Sequence, residues 1–162
     1  MFNKILISVL SCFLLGGIIA QTPVTTIPSF SFSRLDKTAF TNKDLATGKQ
    51  VFFVFFDTEC DHCLHAIQYL DQHYQDFRKA AIYMITLDDA GKLGRYIEKH
   101  APGLKLRKNI SFLQDVNSEF IAKFQPRKYP SLFLFSKKRT LLRYGDDEQH
   151  LPLFTRLMQI VE

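Results

Sequence analysis

Residues 50–64, QVFFVFFDTECDHCL, carry the strongest structural pattern in this sequence. They begin with an unbroken apolar run from Val51 to Phe56, which is rich in β-branched and aromatic residues and too short for a buried helix. Such a run is typical of a central strand that is covered on both faces. We therefore expect helices to flank this strand.

Two cysteines, Cys60 and Cys63, follow the strand directly. Apolar residues then recur at steps of three and four, the pattern of an amphipathic helix; they are Leu64, Ile67, Leu70, Tyr74 and Phe77. Both cysteines are therefore predicted to lie in the first turn of that helix. There the backbone amides and the positive end of the helix dipole stabilise a thiolate at Cys60, and the three-residue offset brings Cys63 within bonding reach. This context predicts a redox-active pair, in which one thiolate attacks a disulfide and the other thiol displaces the product.

The rest of the chain alternates strand and helix patterns. The predicted elements, in chain order, are an N-terminal hairpin at residues 30–33 and around Phe40, a strand at 81–87, a helix around 93–97, a strand at 110–113, a short helix at 120–124 with Asn117 as its N-cap, a hairpin at 131–135 and 140–144, and an amphipathic helix from Leu151 to Val161. Together they predict a mixed α/β sheet in one domain.

The first 20 residues have the order of a signal peptide. A single lysine is followed by an apolar run at residues 5–15 and by small and aliphatic residues that end at Ala20. The run is shorter than the roughly 20 residues that a spanning helix needs. We expect cleavage after Ala20 and export from the cytoplasm, to the periplasm or its equivalent. A retained membrane anchor, or a lipid anchor on Cys12, is the alternative.

Composition fits one globular domain behind this segment, since the 162 residues are 46% hydrophobic and contain no long polar tract. Residues 21–29 contain two prolines and no apolar period, so they are predicted to be a linker, and residues 30–162 the domain. The formal charge of +5 is spread over short basic clusters, and we expect no nucleic-acid partner. If Cys12 leaves with the signal peptide, one close cysteine pair remains, an arrangement suited to redox work.

The sequence resembles the thioredoxin superfamily, and in particular its periplasmic TlpA/ResA-like branch. The similarity spans about residues 30–160 and includes the hairpin, Gly48 and Lys49 before the apolar strand, the cysteine pair, the stretch KYPSLF at 128–133, and Gly145 after the next strand. The resemblance implies a thioredoxin-like three-layer sandwich, with a central mixed sheet, flanking helices and an N-terminal β-hairpin. It also implies that Cys60 and Cys63 are the catalytic residues, with Cys63 resolving the mixed disulfide.

In this family a cis-proline loop lies beside the cysteine pair. The resemblance therefore implies that Pro130 is cis and that the backbone of Tyr129 binds an extended segment of the substrate protein. A histidine at the position of His62 also occurs in oxidising members of the superfamily, where it helps to stabilise the thiolate. Asp61 and Glu59 are expected to oppose it through like-charge repulsion, so these three residues tune the redox potential.

Three positions depart from the family pattern. Glu59 stands where the family usually has Trp, Val54 where thioredoxin has a buried acid, and Ala66 where the ResA-like branch has a glutamate. The group that accepts the proton of Cys63 is therefore unassigned.

The predicted function is that of an extracytoplasmic thiol-disulfide oxidoreductase that exchanges disulfides with partner proteins. The resemblance and the lack of room for a large inserted helical domain favour a reductase, fed by a membrane electron donor. We expect a monomer without cofactor or resident metal. The alternative is copper binding or delivery by the thiols with His62 or His65. A purely structural disulfide is less favoured, and so is a peroxidase, because Asp57 occupies the place of the peroxiredoxin threonine.

Overall fold

A computed structural model describes residues 24–160. The predicted signal peptide, with Cys12, lies outside the described residues, as does Val161. The strands are β1 (Ser31–Arg34), β2 (Ala39–Thr41), β3 (Val51–Phe55), β4 (Ala81–Thr86), β5 (Ile110–Gln114), β6 (Ser131–Phe135) and β7 (Leu141–Gly145), and the α-helices are α1 (Asp61–Gln72), α2 (Tyr74–Phe77), α3 (Ala90–His100), α4 (Glu119–Phe124) and α5 (Leu151–Ile160). Short 3₁₀ turns lie at Asn42–Asp44, Pro102–Leu106 and Glu148–His150. Within the described residues, no helix is both long enough and apolar enough to cross a membrane.

All seven strands form one sheet in the order β2-β1-β5-β4-β3-β6-β7. The β3, β4 and β5 strands run parallel, whereas the remaining pairings are antiparallel. Helices α1 and α3 cross between the parallel strands, as such connections require. The predicted mixed α/β sheet and N-terminal hairpin are confirmed.

The alternation of side chains along β3 divides the core between the two faces of the sheet. Phe52 and Val54 point into a cluster with apolar residues of α1, α2, α3 and α5. Phe53 and Phe55 point into a second cluster with the N-terminal hairpin and α4. Every residue of β3 is buried. The three-layer thioredoxin-like arrangement is confirmed, and β3 is its central strand.

The single helix predicted across residues 64–77 is wrong at His73. There α1 ends and α2 begins, and the backbone of His73 has φ −105° and ψ 23°. The apolar period continued across the break because Phe77 of α2 packs into the same core cluster as α1. The His73 ring stacks on Tyr69 at 4.2 Å between ring centroids, which stabilises the junction.

The predicted N-cap of α4, Asn117, is also wrong. Ser118 occupies the cap position in a left-handed conformation and makes no side-chain cap hydrogen bond. The carboxylate of Asp115, buried at the end of β5, accepts instead from the amides of Glu119 (2.9 Å) and Phe120 (2.7 Å). A carboxylate three residues before the cap residue thus takes over the capping role.

Part of the predicted linker lies along the C-terminal hairpin. Leu141 donates its amide to the carbonyl of Thr25 (2.7 Å), and Ile27 donates to that of Arg139 (3.3 Å). Val24 and Ile27 also pack against the second core cluster. These contacts hold the segment that leads into the domain against the C-terminal hairpin.

Candidate active site

Cys60 is the N-cap residue of α1. Its backbone is extended (φ −95°, ψ 120°), and its Sγ accepts the amide of Cys63 at 3.4 Å. The sulfur thus lies at the exposed amides and positive dipole end of a 12-residue helix. Helix N-termini in general attract anionic groups.

The two thiols differ in their surroundings. Both are reduced in the structure; Cys60 is partly exposed, whereas Cys63 has 0% of its surface exposed. Burial raises the pKa of the Cys63 thiol, and the neighbouring Cys60 thiol adds to this effect, although a hydrogen bond from the backbone of Asp57 opposes it. An incoming substrate can therefore reach Cys60 but not Cys63.

The turn between β3 and α1 is held by two aspartates. The side chain of Asp57 accepts the amide of Glu59 (2.7 Å), and its carbonyl accepts the amide of Cys60 (3.4 Å). Asp88, which follows β4, accepts both the amide (3.2 Å) and the hydroxyl (2.7 Å) of Thr58. These contacts fix the backbone immediately before the nucleophile.

Lys92 of α3 places a positive charge in this turn. Its Nζ lies 2.7 Å from Oε1 of Glu59 and 2.8 Å from Oδ1 of Asp88. Burial alone would raise the pKa of Asp88, but the hydrogen bonds from Lys92 and Thr58 outweigh it and lower that pKa. Glu59, expected to oppose the thiolate through like-charge repulsion, is an ion-pair partner of Lys92.

His62 in the first turn of α1 pairs with Glu148, which precedes α5. Its Nδ1 lies 2.9 Å from Oε1 of Glu148, and Nδ1 of His65 lies 4.0 Å from the same oxygen. The hydrogen bond and the charge of Glu148 raise the pKa of His62. The pair favours an imidazolium close to the start of α1. Asp61, beside it, is exposed in the same turn.

The Tyr129–Pro130 peptide bond is cis. Ser131, the next residue, begins β6 and pairs with Phe55, the last residue of β3. The loop that carries Pro130 therefore lies at the end of β3, the same end at which the chain continues to Cys60. The Tyr129 ring lies 4.9 Å from that of Phe55, and Pro130 is buried. Burial, followed by the charge of Asp57, raises the pKa of the Tyr129 hydroxyl.

A small apolar cavity of about 130 Å³ opens beside the loop. Its lining consists of Phe55, Ile121, Pro126, Arg127, Lys128 and Tyr129. Ile121, at 44% exposure, is one of its apolar walls. The cavity is large enough for one aliphatic side chain.

No group of three or more His, Cys, Asp or Glu side chains among residues 24–160 is arranged to hold a metal ion. His62 and His65, the imidazoles considered as copper ligands together with the thiols, both lie against Glu148. The site as built is a thiol pair with a neighbouring proline loop.

Sequence reasoning did not identify Lys92, Glu148 or Asp88 as parts of the site. Lys92 is 33 residues from Glu59, and Glu148 is 86 residues from His62. Neither residue belongs to a motif, so no local sequence signal marks them.

The AhpC/TSA family matches residues 23–144, about three quarters of the chain. Family membership supports an oxidoreductase activity. A comparison of the sequence with curated proteins finds no match.

The names of solved structures with the same fold describe different activities. The peroxidoxin BcpB of Mycobacterium tuberculosis has a TM-score of 0.71 at 14% identity, covering 86% of this chain and 97% of its own. A secreted M. tuberculosis disulfide oxidoreductase, described as homologous to E. coli DsbE, has a TM-score of 0.63 at 18% identity, covering 78% and 94%. Copper-bound ScoI of Arabidopsis thaliana has a TM-score of 0.61 at 16% identity, covering 82% and 97%.

At these identities the solved structures bear on the fold alone, whereas the family match covers most of the sequence. The chain belongs to the AhpC/TSA family and has the thioredoxin-like fold of the thiol-disulfide oxidoreductases.

Proposed function

We propose that this protein is an extracytoplasmic thiol-disulfide oxidoreductase that acts on partner proteins, with Cys60 as nucleophile and Cys63 as resolving thiol. The observation that carries the proposal is the asymmetry of the pair. Cys60 is partly exposed at the N-terminus of α1, whereas Cys63 is buried one turn later with its amide on the Cys60 sulfur. The attacking thiol must be accessible to the substrate, as Cys60 is. The resolving thiol is shielded from other partners by its burial, as Cys63 is.

The reaction in the reducing direction has two steps. The Cys60 thiolate attacks a partner disulfide, forming a mixed disulfide and expelling one partner sulfur, which takes a proton. The Cys63 sulfur then attacks the Cys60 sulfur, and the second partner thiol leaves with the proton that Cys63 gives up. The partner gains two electrons, and the protein ends with a Cys60–Cys63 disulfide that a membrane electron donor must reduce again.

Substrate binding is proposed for the loop at Tyr129 and Pro130. Its position at the same sheet edge as Cys60 supports pairing between the Tyr129 backbone and an extended partner segment. The apolar cavity beside Tyr129 supports an aliphatic side chain in that segment. His62, Asp61 and Glu59 are proposed to tune the potential, and two of them have ion-pair partners, Glu148 for His62 and Lys92 for Glu59.

The reductase direction and the location outside the cytoplasm rest on the sequence. Between α1 and the proline loop, residues 73–128 form α2, β4, α3, β5 and α4, all of which pack on the one sheet and leave no inserted helical domain. The signal-peptide pattern in the first 20 residues supports export.

The test is trapping of the mixed disulfide. Cys63→Ser retains the nucleophile but lacks the resolving thiol, so covalent adducts with partner proteins should accumulate and disappear with reductant. Cys60→Ser is the matched control and should form none. Absence of adducts in Cys63→Ser, together with about one copper ion per purified chain, would replace this proposal with the copper alternative.

A further inference from the structure

The end of the domain opposite Cys60 collects positive charges that are scattered along the sequence. Strands β3, β4 and β5 begin at this end and β6 ends there, since Val51 pairs with both Ala81 and Phe135. Basic residues lie within three positions of each of these strand ends. They form a surface that we call the basic pole, made of Lys49, Arg78, Lys79, Arg107, Lys108 and Lys137.

Three grooves with shared walls cross the basic pole. The first, of about 400 Å³, and the second, of about 500 Å³, meet at Arg78. The third, of about 170 Å³, shares Lys49 with the first groove and Lys79 with the second. The six cations therefore line one continuous surface, although they come from four separate loops.

The cations of the basic pole have no carboxylate partners in the described chain. None of the six forms an ion pair with another residue between positions 24 and 160. Of the two aspartates that line cavities at this end, Asp44 pairs with Arg34 at 2.8 Å, and Asp76 lies 3.9 Å from His73. An anionic surface would therefore be the first carboxylate-like partner that these cations meet.

An exposed leucine lies among these charges. Leu106 is 82% exposed, it lines the first groove, and its neighbours in sequence are Lys105 and Arg107. Ile160, which is 76% exposed, is next in sequence to a residue that lines the second and third grooves. Exposed aliphatic side chains surrounded by lysine and arginine are typical of surfaces that lie on anionic membranes.

The composition of the basic pole favours a lipid surface over a protein or a nucleic acid. Four of the six cations are lysines, which protein interfaces use sparingly and anionic headgroups attract. Single-stranded nucleic acids need an open aromatic face for stacking, but the guanidinium of Arg107 lies over the ring of Tyr74, 4.2 Å from its centre. A phosphate backbone also offers nothing to Leu106, whereas acyl chains would bury it.

We propose that the basic pole docks this domain on an anionic phospholipid surface, with lipid phosphates in the grooves and Leu106 at the boundary between headgroups and acyl chains. No residue of the basic pole belongs to the thiol site, so docking does not rest on the proposed function. In the docked orientation Cys60 lies beyond the other end of β3 and faces partner proteins in solution. Because the contact is largely electrostatic it is reversible, and release frees Cys60 to turn toward a membrane electron donor.

The experiment measures partitioning of the full chain onto vesicles of phosphatidylglycerol mixed with phosphatidylcholine and onto vesicles of phosphatidylcholine alone. The ratio of the two partition coefficients removes any contribution of the apolar N-terminal segment that is common to both lipids. The wild type should prefer the anionic vesicles, and added salt should abolish the preference. Each cation near an anionic lipid surface contributes roughly fivefold, so Lys49→Gln/Lys79→Gln should lower the ratio roughly 10- to 25-fold. Both lysines are exposed, so the melting temperature should not change.

Arg143→Gln/Arg156→Gln is the matched control, because it removes the same charge from exposed positions midway along β7 and α5. It should leave the ratio close to that of the wild type. Leu106→Gln keeps the charge of the chain and should weaken binding to the anionic vesicles roughly tenfold.

Three results would overturn docking and leave the proposed function intact. The first is a wild type without preference for anionic vesicles, and the second is an equal loss in the two double variants, since net charge would then explain the binding. The third is unchanged binding by Leu106→Gln together with tighter binding to duplex DNA than to the vesicles, which would assign the basic pole to a nucleic acid.

Discussion

Replacing Asp115 with alanine should destabilise the protein through the capping of α4. The Asp115 side chain is 1% exposed and accepts two backbone amides, those of Glu119 and Phe120. Alanine leaves both donors without their acceptor, and the amide of Phe120 is itself buried. Helix α4 contributes Phe120 and Phe124 to the second core cluster, so loosening this helix also weakens the packing of that cluster against the sheet.

The size of the effect follows from these two bonds. Hydrogen bonds to a charged acceptor contribute about 1.5–3 kcal/mol each. Because the bond from the Glu119 amide is only partly buried, we expect a total loss of about 2–4 kcal/mol in the free energy of unfolding. For a chain of this length that loss lowers the melting temperature by roughly 5–15 °C. Asp115→Asn keeps one acceptor oxygen and should lose about half as much.

The matched control is Asp89→Ala. Asp89 caps α3 with the same number of bonds, to the amides of Gly91 (2.8 Å) and Lys92 (3.0 Å), but it is exposed. Water can replace its oxygen, so this variant should be the milder of the two. Urea unfolding of the three variants and the wild type gives the comparison. If Asp89→Ala costs as much as Asp115→Ala, burial of the acceptor is not the cause and the reasoning fails.

Two further variants test the ion pairs around the cysteines. Glu148→Gln should lower the pKa of His62 toward its ordinary value of 6.5, as measured by NMR titration of the imidazole. Since the folded-state pKa is the raised one, stabilisation by this pair is present below pH 6.5 and is lost as the pH rises through the folded-state pKa; a difference in stability that grows at high pH would contradict the assignment. Lys92→Met should raise the pKa of Asp88, because the substitution removes a hydrogen bond that lowers this pKa. NMR titration of the Asp88 carboxyl carbon measures the change, and an unchanged pKa would mean that the hydrogen bonds from Thr58 alone lower it.

Local patterns in the sequence predicted most of the fold. The apolar run of β3 and the spacing of apolar residues by three and four positions in α1 are both patterns within a single element. The same holds for the position of Cys60 at the start of α1, which follows from the strand-to-helix change. The break at His73 escaped this reasoning, because α2 continues the apolar period of α1.

The electrostatics of the site could not be predicted in this way. Glu59 meets Lys92, and His62 meets Glu148, only because α3 and the turn before α5 pack around the start of α1. The cap of α4 by Asp115 likewise depends on how β5 ends. Charges separated by tens of residues acquire partners through tertiary packing, which one sequence does not encode in any short motif.

The roles of Cys60 and Cys63 are tested by the order in which the two thiols react. Reduced wild-type protein is treated briefly with iodoacetamide near pH 6, and the label at each cysteine is quantified by mass spectrometry of proteolytic peptides. The partly exposed sulfur at the start of α1 should be alkylated first, with Cys63 labelled only after unfolding. Labelling of Cys63 before Cys60 in the folded protein would contradict the assignment of nucleophile and resolving thiol.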